Sequence, residues 1–150
     1  MNKLIGARNC ALVSASLITT VMIIAVPSVH ADEMVVVTLA DMGMESMRLE
    51  LGATEIRAGK VTFNVTNTSQ SLVHEFIVGK SDRAIESLPY NEQERQLKED
   101  ALEVVNEIED LEPGKPGMLT VNLEPGSYVL FCNKVGHFKA GMVNHLTVIK

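Results

Sequence analysis

The chain has 150 residues, 46% of them hydrophobic, and carries thirteen basic against nineteen acidic side chains for a net charge of −6 at pH 7. That balance argues against nucleic acid as a partner, because phosphate recognition needs a basic surface. The length suits one domain with one core once any leader is set aside.

Residues 1–31 read as a secretory signal peptide. Lys3 and Arg8 give a positive start, ALVSASLITTVMIIAV (11–26) is apolar without a charge, and VHA (29–31) offers small residues where an exporting peptidase cuts. An uncleaved anchor is the competing reading, but the apolar run is shorter than the ~20 residues a membrane span prefers. Cleavage after Ala31 would leave 32–150 as a periplasmic domain with nineteen acidic and eleven basic residues, a net charge of −8. Cys10 and His30 would leave with the leader, and Cys132 would be the one remaining thiol. In an oxidising compartment a lone thiol is buried and inert, paired with another chain, or held by a metal.

Most of the remaining chain alternates as strands do. MVVVTLA (34–40) is a β-branched run. MRLEL (47–51) puts Met47, Leu49 and Leu51 on one face, and KVTFNVTN (60–67) turns Val61, Phe63 and Val65 inward. SLVHEFIV (71–78), MLTVNL (118–123), SYVLFC (127–132) and MVNHLTVIK (142–150) complete the set, with Pro-Gly marking a hairpin before Ser127. Short strands between turn signals predict an all-β sandwich or barrel.

The stretch 81–112 breaks the pattern. It holds eleven acids and three bases, so it accounts for the whole net charge of the domain. Within it, residues 91–111 place Leu97, Ala101, Val104, Val105, Ile108 and Leu111 at helical spacing, and Asn91 with Glu94 resembles a capping box. The spacing predicts an acidic helical insertion, docked by one apolar stripe with its acids in water. A solvated face is the ordinary fate of such a charge run.

FCNKVGHFKAGMV (131–143) concentrates the chemistry. Cys132, His137 and Met142 each lie five positions apart, offering thiolate, imidazole and thioether on one short loop. His74 lies mid-strand between apolar neighbours and can reach that loop if its strand runs beside the one ending at Cys132. Two imidazoles, one thiolate and a weaker thioether make a type 1 copper ligand set, whereas a thioether is a poor ligand for zinc. Taken singly, Cys132 could be an inert core thiol and His74 a satisfied strand histidine.

YVLFCNKVGHFKAGMVNHLTV with the upstream HEFIV resembles the cupredoxin family of small blue copper proteins, and the Cys-x4-His-x4-Met spacing is similar to that of its auracyanin and rusticyanin branches. The resemblance implies a Greek-key β-sandwich holding one copper per chain, Cu(I) or Cu(II), through His74, Cys132, His137 and Met142. It also implies that His137 is the ligand nearest solvent, with Val135, Phe138 and Gly141 forming an apolar face where a redox partner such as a cytochrome or oxidase docks; Lys134 and Lys139 on this loop predict some acidic complementarity in that partner. Glu75 departs from the Asn or Ser that many members carry after the first histidine. Gly136 stands where a binuclear relative needs a second cysteine, so the site should be mononuclear.

Four filled ligand positions leave none open for substrate, which disfavours an enzyme. The reading is a monomeric one-electron carrier; the alternative is a copper-binding protein for tolerance or delivery. DMGMESM (41–47) bears on that choice. Met42 and Met44 could bind Cu(I) beside the main site, or could simply fill gaps over the end of the sandwich. Met47 fits the core stripe, and His145 should point away from the core.

Overall fold

The computed structural model describes residues 32–150; the expected signal peptide lies outside the described residues. Two sheets face each other. The first holds, in spatial order, β2 (Met47–Leu51), β1 (Glu33–Asp41), β4 (Gly59–Asn67) and β9 (Pro116–Leu123). The second holds β3 (Glu55–Arg57), β11 (Val143–Ile149), β10 (Gly126–Phe131), β5 (His74–Lys80) and β8 (Glu103–Leu111). The chain changes sheet from β2 to β3, from β3 to β4, from β4 to β5, from β8 to β9 and from β9 to β10, and β1 runs parallel to β4. Among the described residues no helix is long and apolar enough to cross a membrane.

The alternation read from the sequence is what closes the core. Val61, Phe63 and Val65 of β4 and Leu119, Val121 and Leu123 of β9 are buried, while the residues between them face out. Met47 and Leu49 are buried with them, and Leu146 and Val148 leave His145 only half-buried. Phe63 meets Phe76 of the opposite sheet at 5.2 Å between ring centroids. Each such side chain taken fully from water contributes about 1.5–3 kcal/mol, so this two-sided interior dominates the stability.

The acidic stretch is not the helical insertion that its spacing predicts. It forms a 3-10 turn at Ile85–Ser87, a two-stranded hairpin of β6 (Tyr90–Asn91) and β7 (Gln96–Leu97), a second 3-10 turn at Glu99–Ala101, and then β8. The Asn91–Glu94 pair does bond, Asn91 Nδ2 donating to Glu94 Oε2 at 2.6 Å, but it closes a turn that Arg95 ends at φ 58°. Val104 and Ile108, four apart, satisfy a strand as well as a helix. Strand β8 covers the open edge of β5, and a register shift at Val78/Gly79 opposite Val104–Asn106 lets Val104 pack on the outer cluster and Ile108 on the inner core. Of the predicted stripe Leu97 and Leu111 are buried, Val104 and Ile108 half-buried, and Ala101 and Val105 exposed; Leu97 packs with Leu88 against Ile77, Val129, Phe131 and Phe138 on the outer face of the second sheet.

One side chain fastens this excursion. Asn133, next to Cys132, accepts the Leu97 amide at 2.6 Å, donates to the Leu97 carbonyl at 3.0 Å and to Glu99 Oε1 at 2.6 Å, and its own carbonyl accepts from Gln96 Nε2 at 2.6 Å. These bonds occupy the backbone groups that a helix through Leu97 would have used. Asn133→Ala strands both Leu97 groups, at about 2 kcal/mol. Hydrogen exchange in residues 90–101 should speed up at least tenfold while β1, β4 and β9 keep their protection; uniform loss across both sheets would instead make Asn133 a global staple.

Candidate metal centre

β5 pairs with β10 and β10 with β11, which meets the condition on which the reading of His74 depended. The register puts three chain positions at one end of the second sheet: His74 opens β5, Cys132 follows β10, and Met142 precedes β11. Inward alternation then decides direction. Phe76, Tyr128, Leu130, Cys132, Met142 and Leu146 all belong to the core between the sheets.

His74, Cys132 and His137 come together there, with one ligand atom from each lying within 4.8 Å of the others. His74 Nδ1 is 3.1 Å from His137 Nδ1, which is 3.4 Å from Cys132 Sγ. The Glu75 amide donates to the same sulfur at 3.3 Å. His74, Cys132 and Met142 are fully buried, and His137 keeps 5% of its surface. Met142 is bound into the loop through its backbone, its N–H donating to the His137 carbonyl and its own carbonyl accepting the Cys132 amide, both at 3.1 Å. Gly141 makes the closing turn possible. It sits at φ +109°, and a Cβ there would lie 2.5 Å from the Met47 carbonyl oxygen.

Three residues that the sequence reading missed, Asp41, Ser69 and Asn67, back His74. Asp41 Oδ2 lies 3.2 Å from His74 Nε2, so that nitrogen carries the proton and leaves Nδ1 with a lone pair toward the cluster. Burial tends to raise the Asp41 carboxyl, but bonds from Ser69, His74 and the Gly43 amide outweigh it and hold it below its ordinary value. Asn67, fully buried, donates to the carbonyls of Leu72 and Leu111 at 2.8 Å each and accepts the Ser69 amide, which fixes the approach to His74. Nothing local marks Asp41 or Ser69 as partners of a residue more than thirty positions away in Asp41's case.

Glu75 fills the position of the departure with chemistry of its own. Desolvation raises its carboxyl, and Lys134, whose ammonium is 3.6 Å away, together with a bond from the Asn133 amide, pulls it back. The two ligand-bearing segments are thus tied by a carboxylate rather than by an amide or hydroxyl.

The expected docking face is altered. Phe138 is buried, stacked on Tyr90 with centroids 5.9 Å apart, so the hairpin covers it. Val135 and Gly141 remain exposed. Lys134 bonds Asp110 at 2.6 Å, and Lys139 pairs with Glu92 over the Tyr90 ring, so neither lysine is free for an acidic partner. Met42 and Met44 are exposed, and Met47 is buried.

Burial pushes the Cys132 thiol up to about 12, against the backbone amides of Glu75 and Lys134 that pull it down. Burial pushes the His137 imidazole down to about 4, with the neighbouring His74 adding to the effect. His74 is also lowered by burial, with Asp41 opposing. At neutral pH the protein therefore presents two neutral imidazoles and a protonated, shielded thiol. This set fits the His–Cys–His part of a type 1 copper centre: nitrogens and sulfur that are uncharged, converging and without competing carboxylates among the facing atoms.

Solved structures share this two-sheet sandwich. Rusticyanin from Thiobacillus ferrooxidans superposes with a TM-score of 0.60 at 19% identity, over 79% of this chain and 77% of that one. Auracyanin from Roseiflexus castenholzii gives 0.54 at 20%, over 77% and 97%, and auracyanin B gives 0.56 at 22%, over 79% and 89%. At these identities the likeness is one of fold. No family model matches the chain, and no curated protein sequence does.

The depressed His137 imidazole makes the metal-free protein acid-sensitive. Between pH 6.5 and about 4 the unfolded chain takes up a proton at His137 that the folded chain refuses, so stability is full above 6.5 and is lost as pH falls through that window. The melting temperature of the metal-free protein should drop across it, and His137→Phe should flatten the drop. An undiminished drop in the variant would place the sensitivity at other groups.

Proposed function

We propose that this chain is a mononuclear type 1 copper protein that serves as a periplasmic one-electron carrier, with His74, Cys132, His137 and Met142 as its ligands. The observation that carries this reading is the convergence of the two imidazole Nδ1 atoms and the Cys132 sulfur, at 3.1 and 3.4 Å, in a fully packed setting. A rusticyanin structure names that protein a copper protein, and the auracyanin was studied in dithionite-reduced form, which supports a redox role for the shared fold.

Copper, when bound, supplies exchange of one electron between Cu(I) and Cu(II). The chain supplies a fixed cage. Asp41 sets the His74 tautomer, the Glu75 amide bonds the sulfur, and the backbone bonds of Met142 lock the loop, so the ligands move little between the two oxidation states. Among the described residues the cluster gains no further His, Cys, Asp or Glu ligand, and copper held by these four groups would keep no position free for a substrate, which argues against an enzyme. His137 is the one cluster residue that reaches the surface, which makes it the route for an electron to a cytochrome or oxidase meeting Val135 and Gly141. Because both loop lysines are already paired with acids, a basic partner suits this end better than an acidic one. Export rests on the leader read at 1–31. The exposed Met42 and Met44 favour, as the alternative, a role in copper tolerance or delivery.

One equivalent of Cu(II) should give an intense thiolate-to-copper band that bleaches with dithionite and returns on reoxidation. Cys132→Ser should abolish the band, and Met142→Leu should keep it with a shifted potential. A colourless product that holds Cu(I) tightly would reverse the preference toward copper handling, and no binding at all would overturn the site.

A further inference from the structure

The turn between β1 and β2 carries two thioethers that the copper ligand set does not use. A gap-filling methionine is buried, as Met47 is at 3% exposure; Met42 and Met44 are 78% and 47% exposed and so fill no gap in the core. Each forgoes the roughly 1.5–3 kcal/mol that burial of a methionine side chain brings. The turn is nevertheless well built. The Met42 amide donates to the Ser46 carbonyl at 2.9 Å, and the Gly43 amide donates to Asp41 Oδ1 at 3.2 Å.

Both ends of this turn are anchored on the ligand cluster. Asp41 holds His74 through its other carboxylate oxygen, and the Met47 amide donates to the Ala140 carbonyl at 2.9 Å, two residues before Met142. The thioethers are thus presented to solvent at the end of the sandwich where the buried ligands lie. Thioether sulfur is uncharged, does not titrate, and is soft: it selects Cu(I) over Cu(II), zinc and the hard cations. Two of them, two positions apart on one turn, together with an exchangeable third donor from solvent would make a weak site that releases its ion readily.

We propose that Met42 and Met44 form an auxiliary Cu(I) site at the mouth of the principal centre, distinct from its four ligands. The proposal rests on the copper reading only in that copper must reach this protein; the thioether pair does not depend on Cys132 for binding. Met34 and Met118, exposed at 68% and 71% on the outer face of the first sheet, provide internal controls for non-specific thioether binding.

The test uses protein labelled with 13C at the methionine methyls and titrated anaerobically with Cu(I). In the wild type the first equivalent should fill the principal site, and the second should shift the Met42 and Met44 methyl signals while Met34 and Met118 stay in place. Met42→Leu with Met44→Leu should lose the second equivalent and keep the first. Cys132→Ala should keep the Met42 and Met44 shifts, which separates this site from a failure of the principal one. Equal shifts at Met34 and Met118, or no shift at Met42 and Met44 in either background, would overturn it.

Discussion

A continuous run of polar contacts sealed inside the sandwich end governs this molecule: Asp41 to His74, His74 to His137, His137 to Cys132, and Cys132 to the Glu75 amide. Two imidazoles and a thiol cannot sit between apolar sheets unless each finds a partner, because an unpaired polar group there costs about 1–3 kcal/mol. Every buried side-chain nitrogen and oxygen among the described residues has one. The contacts come from β1, β5 and the loop joining β10 to β11, so they also tie the two sheets together. Site and fold are therefore one structure at this end.

The acidic excursion shapes the same end from outside. Asn133, next to Cys132, binds it through Leu97, Tyr90 covers Phe138, and Glu92 and Asp110 take up the loop's lysines. It encloses the flank of the ligand loop and leaves Val135, Gly141 and a sliver of His137 open. The exposed surface around this loop is narrower, and more negative, than the loop alone would present.

The strands were legible because period-two alternation coincides with burial: Val61, Phe63 and Val65 need no tertiary knowledge to be placed. The three-residue β3 is too short to alternate visibly, and β8 was disguised because Val104 and Ile108, four apart, suit helix and strand alike until the register shift against β5 is known. The cluster of His74, Cys132 and His137 was legible for a chemical reason, since Cys132 and His137 share one loop and His74 stands alone in an apolar strand. Asp41, Asn67 and Asn133 were not. Their roles are hydrogen bonds to residues 33, 44 and 36 positions away, and Asn and Asp carry no spacing signal for that.

The central proposal is that His74, Cys132, His137 and Met142 would hold one copper. Electron paramagnetic resonance of the Cu(II)-loaded protein addresses it most directly, because delocalisation of the unpaired spin onto Cys132 sulfur compresses the copper hyperfine splitting. One such spin per chain, with a compressed parallel splitting that is lost in Cys132→Ser, is the result expected of this site. A wide splitting of ordinary tetragonal Cu(II), unchanged in Cys132→Ser, would contradict it.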